Sequence, residues 1–220
     1  MISRLPGWVE YGAFVLALLA GFVNSVGLLG FEHQSVSHLS GTATLLGARL
    51  LEQPDTSLHL LAVILSFLAG AVISGWVLRS SALQMGRHYG LLLLIEAALL
   101  FAACHMLLNG SSAGHYFASA ACGLQNALAT TYSGAIIRTT HITGIVTDLG
   151  IMLGAWLRKQ KFDQRRATLY LLIIGGFVVG AMAGAVSYQW AGYNALMMPS
   201  GGCLLLALAY HWYQLKTIKK

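Results

Sequence analysis

The stretch THITGIVTDLGIML, residues 140–153, decides how the whole chain is interpreted, because the first half of the chain repeats it. Residues 37–50 read SHLSGTATLLGARL, so that a His, a Gly, a Thr and a second Gly recur at the same spacing. His141 follows His38 by 103 positions. A displacement close to half of the 220-residue chain predicts an internal duplication.

Two further features repeat in the same order. Upstream of each stretch, GFVNSVGLLG at residues 21–30 and GLQNALATTYSG at residues 123–134 share a Gly and an Asn displaced by 102 positions. Downstream, each half has an apolar run with small residues spaced by four, which lets helix backbones approach closely. These residues are Ser66, Gly70 and Ser74 in the first half and Gly176, Gly180 and Gly184 in the second. The chain is therefore divided into repeats at residues 8–108 and 113–215.

Composition places the chain in a lipid bilayer. Hydrophobic residues make up 57% of it and charged residues only 9%, with a mean hydropathy of +0.69, whereas soluble domains are about 25% charged. A soluble core of this size would need polar residues to cover it. The formal charge of +6 comes without interleaved aromatic residues, so nucleic acid is not an expected partner. The three cysteines lie in apolar runs, which argues against a disulfide framework.

Six apolar runs are long enough to cross ~30 Å of hydrocarbon at ~1.5 Å per residue. They occupy residues 11–29, 58–78, 89–108, 115–132, 167–188 and 193–213. Two more segments, residues 37–51 and 140–157, are shorter, only partly apolar and rich in Gly and Thr. We predict that these two are broken helices that enter the bilayer and return on the same side. The expected fold is an all-α, polytopic membrane protein with about six transmembrane helices plus two short re-entrant helices.

The basic residues favour six crossings over eight. With six crossings, twelve of the thirteen Lys and Arg residues fall on one side of the membrane and only Arg49 falls opposite. With eight, Arg79, Arg87 and Arg138 change sides and the division is ten to three. The positive-inside rule then predicts that both termini are cytoplasmic. Three crossings per repeat would make the repeats inverted, whereas eight crossings would make them parallel.

A helix that is broken within the membrane predicts a lined cavity, because its free backbone groups must be satisfied by protein or water. Gly41 and Gly144 are the predicted breaks, and the exposed N–H groups of a half-helix suit a polar or anionic solute. Capping or bonding between helices is the alternative role for the His and amide side chains. The predicted solute-binding residues come from both motifs and are Asn24, His38, Ser40, Gly41, Thr42, Gln125, Asn126, His141, Thr143, Gly144 and Thr147.

Glu96 and Asp148 are predicted to couple the transport of the solute to the movement of protons. Glu96, in LLLLIEAALL at residues 91–100, is the only carboxylate within a purely apolar run, and ionisable residues in such places are functional by default. A protonated hydrogen bond between helices is the alternative for Glu96. Asp148 has no acidic counterpart, since position 45 is Leu, which indicates a role in one half only. No metal site is expected, because two His residues without neighbouring Cys or carboxylate ligands fall short of tetrahedral coordination.

These motifs resemble those of the YoaK family. The members of this family are bacterial inner-membrane proteins that are classified under a domain of unknown function. The resemblance covers nearly the whole chain and is carried by residues 21–30, 40–42, 123–127, 139–144 and 147–150 together with Glu96. It implies about six helices and a bacterial inner membrane, and it supplies no substrate. Where the commonest family pattern has an Asp, this chain has Asn24, and it has Leu39 to Thr42 where the family has Met-Thr-Gly-Asn. This chain therefore has no acid at position 24, and the predicted proton-coupling residues are Glu96 and Asp148.

The inverted repeat favours a small secondary transporter or permease for a polar or anionic solute. A channel with a two-fold pseudosymmetric filter and a non-transporting scaffold or sensor remain alternatives. Enzymatic activity is not expected, because no orienting acid accompanies the Ser or Thr and His of either motif, and no cofactor is expected. Formation of a homo-oligomer is left open.

Overall fold

The computed structural model describes residues 8–30, 36–78, 88–133 and 137–218. Within them all regular structure is helical, as predicted, and no strand occurs. The helices are α1 (Trp8–Gly30), α2 (Leu39–Arg49), α3 (Pro54–Val77), α4 (Tyr89–Leu108), α5 (Ala113–Tyr132), α6 (Ile142–Leu157), α7 (Gln164–Ala191) and α8 (Met197–Ile218), with a 3₁₀ turn at Gly192–Leu196. Five of the counted basic residues lie outside the described residues, namely Arg4, Arg79, Arg87, Lys219 and Lys220.

Four stretches of the described helices are long and apolar enough to cross a membrane. They are Glu10–Gly30, Pro54–Val77, Tyr89–Leu108 and Gln164–Lys216, the last of which includes both α7 and α8. Helix α5, which covers the predicted span at residues 115–132, is not among them, and Gln125 and Asn126 lower its hydropathy. Helix α6 is apolar but shorter. The chain therefore agrees with the prediction of a membrane protein.

The outward surface of α3 illustrates the apolar exterior. Its Leu58, Leu65, Leu68, Val72 and Trp76 side chains are all more than half exposed. A soluble protein seldom leaves such a continuous apolar surface in water, because hydrating it is unfavourable. The lipid tails of a bilayer are the solvent that suits this surface.

Helix α1 packs along α7, a helix from the other half of the chain. Three glycines of α7, four residues apart, lie against main-chain carbonyl groups of α1 in the order Gly176 at Phe14, Gly180 at Leu18 and Gly184 at Phe22. Because both series rise together, the two helices run parallel. The predicted packing role of these glycines is confirmed, since a methyl group at any of them would collide with the opposite backbone.

Helix α3 packs along α5 in the same way, and again the partners come from different halves. The pairs His59 with His115, Val63 with Ser119 and Phe67 with Gly123 rise together, so these helices are also parallel. Gly123 meets the carbonyl of Phe67 as its counterpart Gly21 meets that of Phe177. Gly70 meets Ala120 as Gly180 meets Leu18. Each half thus contributes one helix to each of two closely similar crossings.

Helices α4 and α8 run antiparallel. Gly90 near the start of α4 meets Tyr210 near the end of α8. Further along α4, the Ser200 hydroxyl donates to the carbonyl of Ala97 at 2.8 Å, and the Cys104 thiol donates to the carbonyl of Tyr193 at 3.3 Å. The neighbouring α4 and α5 are antiparallel as well, since Gly114 at the start of α5 meets Leu107 at the end of α4.

Two apolar clusters fix the directions of all six long helices. One cluster joins the starts of α1, α4 and α7 to the ends of α3, α5 and α8. The other joins the opposite ends of α1, α4 and α5 to the 3₁₀ turn and to Val36. Helices α1, α4 and α7 therefore point one way through the bundle, and α3, α5 and α8 point the other way.

Candidate functional site

Ser37, just before the start of α2, lies alongside α1. The Ser37 hydroxyl donates a 2.6 Å hydrogen bond to Oδ1 of Asn24, which lies six residues before the end of α1 at Gly30. Six helical residues correspond to ~9 Å. Helix α2 therefore starts at a level well inside the length of α1.

The second half repeats this arrangement before α6. The Thr139 hydroxyl lies 3.5 Å from Oε1 of Gln125, seven residues before the end of α5 at Tyr132. This corresponds to ~10 Å of helix. Gln125 is 1% exposed, so a partner for its amide is important to the fold. Asn24 and Gln125 thus each contact a residue that comes just before α2 or α6.

Each of the two short helices begins directly after its histidine. His38 and His141 occupy the N-cap positions of α2 and α6, and neither side chain makes a capping hydrogen bond. Instead each ring lies over the first turn of its own helix. A methyl group at Gly144 would collide with the His141 ring, and one at Gly41 would lie 3.0 Å from Cδ2 of His38.

The prediction that Gly41 and Gly144 break the helices is wrong. Both residues lie inside the first turn, and the helix continues through them. The backbone is non-helical at the histidine itself, with φ −92° and ψ 68° at His38 and φ −91° and ψ 51° at His141. At Gly144 the imidazole ring occupies the space that a methyl group would take.

Two of the predicted hydroxyl groups serve their own helices. The Thr42 hydroxyl donates to the carbonyl of His38 at 3.4 Å, and the Thr147 hydroxyl donates to the carbonyl of Thr143 at 2.9 Å. Bonds of this kind, four residues back along a helix, are a common way to satisfy a Thr in an apolar helix. We therefore place Thr42 and Thr147 behind the site rather than in it.

A cavity of about 640 Å³ lies where the starts of α2 and α6 approach the second halves of α3 and α5. Five of the predicted residues line it, namely His38, Ser40, Asn126, His141 and Thr143. The predicted residues absent from its described lining are Asn24, Gly41, Thr42, Gln125, Gly144, Thr147, Glu96 and Asp148. The structure thus brings the two histidine motifs together at one cavity, with the other predicted residues outside its lining.

Sequence reasoning missed part of the lining. The residues that it missed are Ser37, Leu39, Phe67, Ala71, Gly75, Gly123, Ala127, Thr130, Thr131, Arg138 and Thr140. Arg138 was counted only as an orientation charge, yet it follows directly on Ile137, which is buried in an apolar cluster. The α3 lining residues Phe67, Ala71 and Gly75 are also spaced by four, and each comes one position after a member of the small-residue series at 66, 70 and 74.

The polar groups of this cavity are uneven in charge. Among its described lining residues, Arg138 is the only one that carries a full charge at neutral pH. Neither ion pair in the described part of the chain includes it, since these join Glu10 to Arg165 and Asp148 to Arg166. On α5, the buried Oδ1 of Asn126 has no hydrogen-bond partner within the described residues.

Glu96 lies apart from the cavity, at the contact of α4 with α8. It is 3% exposed, and the Cys203 thiol on α8 hydrogen-bonds its carboxyl group. Within the described residues its Oε2 atom has no partner. Such a buried acid agrees with the prediction of a proton carrier and equally with a protonated link between helices.

Asp148 ties α6 to α7. Its Oδ2 accepts a 2.6 Å hydrogen bond from the Tyr170 hydroxyl and a 3.1 Å bond from Nη2 of Arg166. The Asp148 and Arg166 side chains are about 40% exposed, so solvent screens the pair. The first half has no such tie, because Leu45 stands at the corresponding position. This asymmetry gives the acid of one half a structural use.

Replacing Asp148 by Asn tests this tie. We expect Asp148→Asn to lower the free energy of unfolding by no more than about 1 kcal/mol, because the pair is exposed. Arg166→Gln should have a similar effect, and the double variant should lose little more than either single variant. Thermal unfolding in detergent measures all three. Full additivity of the two losses would show that the residues do not interact.

A second cavity of about 470 Å³ lies at the opposite end of the α3 and α5 pair. His59 and His115 both line it, and their ring nitrogens are 3.1 Å apart. Between the two cavities, the buried Ser119 hydroxyl lies 3.1 Å from the carbonyl of Val36 and 2.9 Å from that of Val63. No cluster of three metal-ligating residues occurs in the described ranges.

The family relationship follows from a match to the whole helical region. The model of the family described as protein of unknown function (DUF1275) matches residues 12–209, which begin in α1 and end in α8. No curated protein and no solved structure matches the chain. The matched region includes both histidine motifs, both parallel helix crossings and all of the cavity's described lining. The chain belongs to this family of unknown function, DUF1275.

Proposed function

We propose that this protein is a small secondary transporter of a bacterial inner membrane, with both termini in the cytoplasm. It carries a small polar or anionic solute through the cavity between the starts of α2 and α6. The observation that carries the proposal is that residues from the first turns of α2 and α6, the short helices of the two predicted repeats, line the same cavity. This arrangement is typical of transporters built from inverted repeats. We also propose that the chain is a YoaK-type member of its family.

Six crossings with inverted repeats agree with the helix directions. The corresponding helices are α1 and α5, α3 and α7, and α4 and α8. In each of these pairs the two helices point in opposite directions through the bundle. Parallel repeats with eight crossings would require each pair to point the same way. In this topology, α2 with 11 residues and α6 with 16 residues do not cross the bilayer. The segments that contain them enter the bilayer and return on the same side.

The two cavities along α3 and α5 suit alternating access. One includes the histidine motifs, and the other lies toward the opposite end of the same helix pair. The layer of Val36, Val63 and Ser119 separates them. Rocking of one repeat against the other would open this layer and would close the cavity that includes the histidine motifs on its own side. A channel would instead need a continuous path through the same layer.

Single cysteines test the six-crossing topology. We expect Glu52→Cys, between α2 and α3, to react with an impermeant maleimide only from the periplasmic side. Gln160→Cys, between α6 and α7, should react only from the cytoplasmic side. The native Cys104, Cys122 and Cys203 are buried and are replaced by Ala in the parent. With eight crossings both introduced cysteines would react from the same side, which would contradict the inverted repeat.

Uptake into proteoliposomes tests transport itself. We expect saturable uptake of at least one solute from a panel of acetate, propionate, phosphate, sulfate, propionamide and alanine. Glu96→Gln should abolish the accumulation of solute that an imposed proton gradient drives. It should leave intact the exchange of solute across the membrane when the pH is equal on both sides. Uptake that equals that of empty liposomes for the whole panel would refute transport of these solute classes. Accumulation that persists in Glu96→Gln would remove Glu96 from the coupling mechanism.

A further inference from the structure

We propose that the cavity between α2 and α6 recognises a small oxyanion, a carboxylate or an inorganic oxyanion, through the guanidinium group of Arg138. The inference rests on the proposed function of this cavity and narrows the class of solute. Three features of the cavity support the inference: the positive charge in its lining, the hydrogen-bond donors around it, and its volume.

The charge in the lining is positive and has no protein counterion among the described residues. Arg138 has no carboxylate neighbour in the lining, and the acids of α6 and α1 are engaged with Arg166 and Arg165. Arg138 is exposed rather than buried, so a solute can reach it. An anionic solute supplies the missing counterion.

The other groups around the cavity include several hydrogen-bond donors. The first N–H groups of a helix have no partner within that helix, and neither histidine side chain caps its helix. Leu39, Ser40 and Thr143, from these first turns, are all in the lining. The helix dipoles add partial positive charge at the same two places. Hydroxyl groups of Thr131 and Thr140 extend this set of donors.

The size and the shape of the donors limit the solute to a small one. A volume of about 640 Å³ lies within the range of small-molecule sites, and this lining must also keep some water. A guanidinium group presents two parallel N–H donors that match two oxygens of a carboxylate, sulfate or phosphate. Chloride would use the charge but not the fork. We therefore expect oxyanions to be preferred over halides of equal charge.

Binding by the purified full-length protein tests the inference. Titration calorimetry with propionate and with propionamide, a neutral molecule of nearly the same shape, isolates the charge. We expect propionate, phosphate or sulfate to bind at least tenfold more tightly than propionamide and chloride. Arg138→Gln should weaken this binding about tenfold or more, as expected for the loss of a charge-assisted pair. Arg138→Lys, which keeps the charge without the fork, should fall between the two.

A matched control separates a local effect from a change of net charge. Lys161→Gln removes a positive charge from the segment between α6 and α7, outside the described lining, and should leave binding unchanged. A preference for propionate identifies a carboxylate site, and a preference for phosphate or sulfate identifies an inorganic oxyanion site. Equal binding of propionate and propionamide, or binding unaffected by Arg138→Gln, would overturn the inference.

Transport and recognition fail in distinguishable ways. Saturable uptake of propionamide or alanine without uptake of any oxyanion would leave a transporter and overturn the anion site. Oxyanion binding that depends on Arg138, without uptake of any solute into proteoliposomes, would leave the anion site and remove the transporter.

Discussion

Replacing Gly180 by Ala is expected to lower the free energy of unfolding by about 3 kcal/mol, at the upper end of typical overpacking costs. The added methyl group would overlap the main-chain carbonyl of Leu18, and neither backbone can move without separating α1 from α7. The measurement is thermal unfolding in detergent, where we expect a melting temperature roughly 6–12 °C lower. Gly123→Ala, at the equivalent crossing of α5 with α3, should produce a loss of similar size.

Gly175 supplies the matched control on the same helix. A methyl group at Gly175 meets nothing within 4 Å, so Gly175→Ala should be neutral or should stabilise the helix by up to about 1 kcal/mol. Because both substitutions give α7 the same gain in helix propensity, their difference reports the crossing alone. Equal melting temperatures for Gly180→Ala and Gly175→Ala would contradict the close approach of α1 and α7.

Replacing Gly144 by Ala is expected to remove solute binding at the cavity. The methyl group would take the space of the His141 ring, which must then leave the first turn of α6. Gly41→Ala should also weaken solute binding, but by less. Its methyl group would lie 3.0 Å from the His38 ring, and a small shift relieves this contact. Calorimetric titration with the tightest-binding solute of the panel measures both effects.

The double variant His141→Ala with Gly144→Ala separates packing from recognition. Removing the ring relieves the collision, so the melting temperature should return close to that of His141→Ala alone. Gly150→Ala, on the same helix with open space around it, is the control that should leave binding unchanged and should be neutral or slightly stabilising. A melting temperature of the double variant below that of Gly144→Ala would contradict the placement of the ring.

The duplication stays a prediction from the sequence, and the two histidine motifs were found because their spacing can be counted. The structure puts His38 and His141 in equivalent places at one cavity, as that spacing implies. The position of the helix breaks was wrong because glycine has two explanations in such a motif. It permits unusual backbone angles, and it also makes room for a neighbouring ring, and only the second applies to Gly144.

The depth of a charge was harder to infer than its presence. Arg138 was counted only among the basic residues on one side of the membrane, yet it belongs to the described lining of the cavity. Glu96 was predicted to couple protons from within an apolar run, and it faces Cys203 on α8, outside that lining. Which helix of one half packs against which helix of the other depends on tertiary contacts that no local pattern records.

The exchange of packing partners between the halves has a consequence for biosynthesis. A ribosome adds roughly 5–20 residues per second, so α7 emerges on the order of ten seconds after α1. During that interval α1 lacks the helix against which its backbone packs. Neither half therefore encodes a finished folding unit, and two separately translated halves would have to assemble within the bilayer to become stable. A cell that made only the first 112 residues would present them to its membrane proteases as an orphan subunit.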